Sequence, residues 1–167
     1  MSCQQPELEP VISKSDSLLS VLDSAERKLN GIDVQKLSLM VDTIKYDASF
    51  INTQLEDTVD VDLAMSFDSY LLVKKSNERI IRAVQDHDIR VLEAKDQVKD
   101  LMHDVQEGFF GLDTARKYFR HEAKNVHQIK QNVDNLKNVA ERNDTAFNEL
   151  KPRVNEIIQR IRQKDGF

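Results

Sequence analysis

The sequence predicts an all-α protein: an elongated antiparallel helical bundle in which a long, coiled-coil-like hairpin carries a short helical hairpin on its base. Three observations predict this. The 167 residues include only 4 Gly and 3 Pro, so little interrupts a helix. Charged residues make up 32% and hydrophobic residues 40%, which suits seams between helices better than a thick globular core. Apolar residues also recur at steps of three and four along most of the chain.

Residues 1–10 are polar and contain Pro6 and Pro10, which predicts an N-terminal tether ahead of a single bundle domain over 11–167. A first helix is expected to begin between Val11 and Ser17. Its stripe is Leu18, Leu22, Ala25 and Leu29, and Asn30-Gly31 stops it if Gly31 takes the left-handed conformation. Asp33 is positioned to cap a second helix with the stripe Leu37, Val41, Ile44, Ala48, Ile51 and Leu55. These two form the short hairpin.

The third helix begins after the polar stretch that ends at Asp60, with Leu63, Phe67, Tyr70 and Leu71 on its buried face. Its later stripe is Ile81, Val84, Asp88, Val91, Lys95, Val98, Met102 and Val105, a heptad pattern with two polar members. Asp86-His87-Asp88 marks a kink or a new start, since Asp favours caps. Gly108 and Gly111 close the segment. The fourth helix starts after Asp113 and carries Ala115, Tyr118, Glu122, Val126, Ile129, Val133, Leu136, Ala140, Asn143, Phe147, Leu150, Val154, Ile157 and Ile161. Pro152 is expected to bend or restart it.

The two long helices, at about 45–50 residues and 1.5 Å per residue, would each run about 70 Å. Residues 86–135 are therefore expected to project as a two-helix arm. Folding the long hairpin at Phe110 sets residue n opposite roughly 220 − n. That places Asp57, Asp60 and Asp62 near Arg160, Arg162 and Lys164, acids at one helix start against bases at another helix end. It also sets Lys95 near Glu122 as a seam ion pair that fixes register.

The net charge of −5 argues against nucleic acid as a partner, because phosphate binding needs clustered cations. The four histidines do not share the spacing of a helical zinc site or of paired Glu-x-x-His elements. No Gly-rich phosphate loop or nucleophile elbow occurs. Neither an enzyme nor a cofactor or metal is expected. The Gly-Phe-Phe-Gly turn at 108–111 offers Phe109 and Phe110 either as an apolar plug on the end of the seam or as an exposed contact for a partner or lipid surface. The plug is the preferred reading, with at least one ring turned back onto Val105 and Ala115.

The single cysteine, Cys3, precludes an internal disulfide and stands outside every helical stripe. Ser2-Cys3-Gln4-Gln5 resembles the junction at which bacterial lipoproteins are cleaved, where a small residue precedes the cysteine and a polar tether follows it. The helical part, from DQVKDLMHDVQEGFFGLDTARKYFRHEAKNVHQIKQNV to FNELKPRVNEII, is similar to small helical lipoproteins of Bacteroidetes-type bacteria. The resemblance covers Cys3 to about Ile161 and implies acylation of Cys3, membrane anchorage and a location in the bacterial cell envelope. It implies no activity or ligand. The expectation is thus a non-enzymatic, membrane-anchored scaffold or binding module with an undefined protein partner. The alternative is a cytosolic coiled-coil adaptor that assembles with partner helices.

Overall fold

The computed structural model describes residues 7–54 and 61–164. They form four helices and no strand: α1 (Glu9–Asn30), α2 (Val34–Gln54), α3 (Val61–Gln106) and α4 (Leu112–Lys164). As the sequence predicts, two short helices pack against two long ones. The chain divides into two compact units. Unit 1 combines residues 1–32 with 84–137, and unit 2 combines 33–83 with 138–167, so α3 and α4 contribute to both.

Unit 1 is a three-helix assembly. The buried side chains of α1 are Val11, Ser15, Leu22, Ala25 and Leu29; the stripe extends two turns toward the N-terminus from Leu18, which is itself half-buried. The helix begins at Glu9 rather than within 11–17. Pro10 fits its first turn, where a missing N–H costs nothing. Leu8 is buried in a cluster with Val11, Leu101, Val105 and Ala115. The chain is therefore already packed at Leu8, so residues 8–10 belong to the bundle and not to the tether expected over 1–10. The same contact corrects the expected bare arm over 86–135: α1 lies along that part of the long pair. Burying α1's stripe is favourable, at about 25 cal/mol per Å² of apolar surface.

The helix starts and stops have local causes. Gly31 ends α1, yet its φ of −82° is right-handed, so the left-handed stop expected there is not used; its N–H instead bonds the carbonyls of Arg27 and Lys28. Asp33 caps α2 as predicted, its Oδ1 accepting the N–H of Lys36 at 2.9 Å. Gly108, with φ +76°, is the left-handed residue that ends α3. The Gly108 N–H bonds the Val105 carbonyl and the Phe109 N–H bonds the Asp104 carbonyl, the paired hydrogen bonds of a Schellman cap. α3 runs without interruption through Asp86-His87-Asp88, and α4 continues past Pro152, so neither site restarts a helix.

Unit 2 buries Leu37, Met40, Val41, Ile44 and Ile51 of α2, and Leu63, Tyr70, Val73 and Ile80 of α3. Of these, Ile44, Ile51, Leu63, Tyr70 and Val73 form one cluster with Val154, Ile157, Ile158 and Ile161 of α4. Tyr70 stacks on Phe147 with ring centroids 5.6 Å apart. The Asn143 contact with Asn77 and the Arg153 contact with Ser66 fall on the register derived from a fold at Phe110.

The buried positions of α3 differ from the predicted stripe at three of its members, and Val84 and Asp88 are only half-buried. Ile80, Ala94 and Leu101 are buried, whereas the sequence pointed to Ile81, Lys95 and Met102 one residue later. A two-helix seam would centre the stripe on one line. A third helix packs on α3 in each unit, α1 in unit 1 and α2 in unit 2, so the buried arc widens and rotates toward it. Among the acid–base pairs expected near the chain end, Asp57, Asp60 and the Lys164 side chain lie outside the described residues, as do Leu55 and Cys3. Arg162 is placed with its guanidinium 5.4 Å from the Phe50 ring centroid.

Candidate functional site

The polar groups inside each unit fall into separate clusters. In unit 2, Asp47 occupies a core position of α2 and is 3% exposed. Its Oδ2 accepts the Tyr70 hydroxyl at 2.8 Å and the Lys151 ammonium at 2.5 Å. Burial, then the hydrogen bond to Asp47, pushes the Tyr70 phenol well above its ordinary range. Asp47 thus links all three helices of unit 2 through one carboxylate. A second cluster joins the same helices: the Asn143 amide donates to Asn77 Oδ1 at 2.7 Å and to Ser76 Oγ at 2.8 Å. Asn77 in turn lies 3.6 Å from the Met40 sulfur. Both clusters are positioned by heptad spacing, and both satisfy buried groups whose isolation would be costly.

In unit 1, Lys95 stands on the flank of α3 that faces α1. Its ammonium bonds Asp23 at 2.6 Å and Glu26 at 2.7 Å. These bonds raise the Lys95 pKa, and the hydrogen bond from Lys95 lowers that of Asp23. The expected pair of Lys95 with Glu122 is therefore corrected: Lys95 turns to α1, and Glu122 keeps a buried Oε2 with no hydrogen-bond partner. The cause is again the third helix, which offers two acids one turn apart. Asp134 accepts from Lys130 within its own helix and from Lys28 of α1, which together hold its carboxyl below the ordinary value.

The histidines do not converge. His87 is half-buried, its Nδ1 has no partner, and burial followed by the neighbouring charge of Arg90 lowers its pKa. The Gln131 amide donates to His127 Nε2 at 3.0 Å within α4. Among the described residues no group of three or more His, Cys, Asp or Glu is arranged to hold a metal ion. A groove of about 230 Å³ lies between α3 and α4 of unit 1, lined by Arg90, Glu93, Gln97, Asn125, Gln128 and Asn132 among others. Buried Ala94 and Ile129 also line it, and its polar side chains have no shared focus.

The turn of unit 1 separates the two phenylalanines. Phe110 packs against the cluster of Leu8, Val11, Leu101, Val105 and Ala115, and its ring lies 5.1 Å from that of Tyr118. It is placed as the plug reading expects. Phe109, at 69% exposure, is not part of the plug. The Asp47 and Asn77 clusters escaped the sequence reading because Asp47 sits one position off the stripe assigned to α2, and Asn77 falls in the span between Leu71 and Ile81 where no stripe member was assigned. A polar residue opposite a polar residue in the hairpin register, Asn77 against Asn143, was the available signal. No family model, curated protein or solved structure matches this chain.

Proposed function

We propose that the chain is a non-enzymatic helical scaffold held at a membrane of the bacterial cell envelope through an acylated Cys3. The observation that carries this reading is the Ser2-Cys3-Gln4-Gln5 junction set five residues ahead of Leu8. Leu8 is a packed residue, so a lipid on Cys3 would be tied by a short span to the rigid end of α1. Among the described residues no helix is long and apolar enough to cross a membrane, so anchorage would rest on the lipid. Polar interactions that join three helices within each unit suit a module whose outer faces do the binding.

A cytosolic adaptor is the second reading, favoured by one feature. Val61, Met65 and Leu72 project from α3 at 71%, 64% and 63% exposure, spaced four and seven residues apart on one outward face. Such a stripe suits a partner helix. The test is metabolic labelling with a radioactive fatty acid, with the gene expressed from its native upstream sequence. Label on the wild type and its loss with Cys3→Ser, together with release from the membrane fraction, is the expected result. Unlabelled protein that fractionates identically with the variant would favour the adaptor.

A further inference from the structure

We infer that the turn between α3 and α4 is a lipid-contact point, with Phe109 as the side chain that enters the bilayer interface. The inference rests on the proposed anchorage and adds a second point of contact to it. Phe109 is held outward by a defined backbone. Its N–H bonds the Asp104 carbonyl at 2.9 Å, and the preceding Gly108 has φ +76°, with open space where a Cβ would be. In a Schellman cap the residue after the glycine commonly folds back onto the helix. Here Phe110 performs the packing, against Tyr118 and the Leu8 cluster, and Phe109 remains 69% exposed. With the backbone already set by the cap, an exposed ring beside a packed one presents apolar area whose insertion orders only its own side chain.

The position of the N-terminal segment selects the occupant. Leu8 and Val11 belong to the cluster against which Phe110 packs. Cys3 precedes Leu8 by five residues, at most about 17 Å of extended chain. An acyl group on Cys3 therefore holds a bilayer within reach of this turn. One phenylalanine cannot hold a protein on a membrane from free solution. Once tethered, the contact is intramolecular, with an effective concentration of about millimolar. The charges near the turn are mixed: Glu7, Glu9, Asp104, Glu107 and Asp113 stand with Arg116, Lys117 and Arg120. The balance is slightly acidic, so burial of the ring supplies the attraction and a zwitterionic surface is the suitable one.

The sequence contains no Trp and one Cys, which makes the test direct. Phe109→Trp introduces a unique fluorophore, and the Cys3 thiol can be coupled to a maleimide lipid in phosphatidylcholine vesicles. A matched control is Ile89→Trp, a 57% exposed position on α3 in the same unit, about 28 Å along the helix from the turn. Each full-length variant should melt at the wild-type temperature. The tethered Phe109→Trp protein should emit at shorter wavelength and be quenched by lipids brominated in the upper acyl chain, and the Ile89→Trp protein should not. Aqueous emission without quenching at position 109, or equal quenching at both positions, would overturn the inference. A blue shift without vesicles that grows with protein concentration would assign the turn to a second copy and also overturn it. Because the tether is chemical, the outcome does not depend on whether the cell acylates Cys3, so failure here and failure of the labelling test are distinct.

Discussion

Asn143 of α4 donates its side-chain amide to Asn77 Oδ1 across 2.7 Å, and Asn77 is fully buried in unit 2. A buried amide carbonyl with one well-placed donor is satisfied, and without that donor it bears its desolvation cost alone. Asn143→Leu should therefore destabilise the protein by about 1–3 kcal/mol. The double variant Asn77→Leu with Asn143→Leu should recover most of that loss, because two apolar groups replace the pair. Urea unfolding of the four members of this cycle measures the coupling. Additive single and double effects would show that the pair fixes nothing.

Asp47→Ala removes the acceptor shared by Tyr70 and Lys151. Loss of one partner from a buried pair is costly, and Lys151 recovers some water because its side chain is 27% exposed. A loss of about 2–3 kcal/mol is expected. Tyr70→Phe should cost only about 1 kcal/mol, one neutral hydroxyl bond. Since the Tyr70 phenol is held far above its ordinary value, its phenolate absorbance should appear only with alkaline unfolding. Ultraviolet titration of wild type and Tyr70→Phe checks this: the late step should vanish in the variant.

Phe110→Ala and Phe109→Ala should differ in thermal melts. Phe110 is packed on the Leu8 cluster, and its truncation is expected to cost about 1–3 kcal/mol, less than a full core deletion because the end of the unit is partly wet. Phe109→Ala should leave the melting temperature unchanged, since its ring touches mostly solvent. Equal losses for both would mean that Phe109 packs in solution.

His87 should make stability depend on pH. Burial and Arg90 depress its pKa below the ordinary 6.5, so the unfolded chain takes up its proton first as pH falls. The contribution of the neutral ring is complete above about pH 6.5 and declines as pH drops toward the depressed folded value. His87→Gln should remove that slope. Denaturant unfolding at several pH values, with a nuclear magnetic resonance titration of the His87 ring, measures both parts. A midpoint above 6.5 would refute the prediction.

The sequence by itself determined the helices, the long hairpin and its register. Spacing of three and four along Leu22, Ala25 and Leu29, or Val126, Ile129 and Val133, is a local property of the 3.6-residue helical turn, and the Gly108 turn sets the alignment of α3 with α4. That one ring of the turn folds back onto Val105 and Ala115 was legible for the same reason, because those residues are near in sequence; that the ring is Phe110, and that Leu8 and Val11 complete its contact, was not. Only the tertiary structure decided where the short helices pack and what the polar residues touch. Lys95 was set against Glu122 by the two-helix register, but Asp23 and Glu26 on α1 lie nearer. Asp47 lay beside the stripe assigned to α2 until Tyr70 and Lys151 supplied its partners from two other helices. Heptad periodicity fixes which arc of a helix is buried to within about one residue, and adding a third helix rotates and widens that arc. A flanking polar side chain is then committed by a neighbour distant in sequence, information that no local pattern carries.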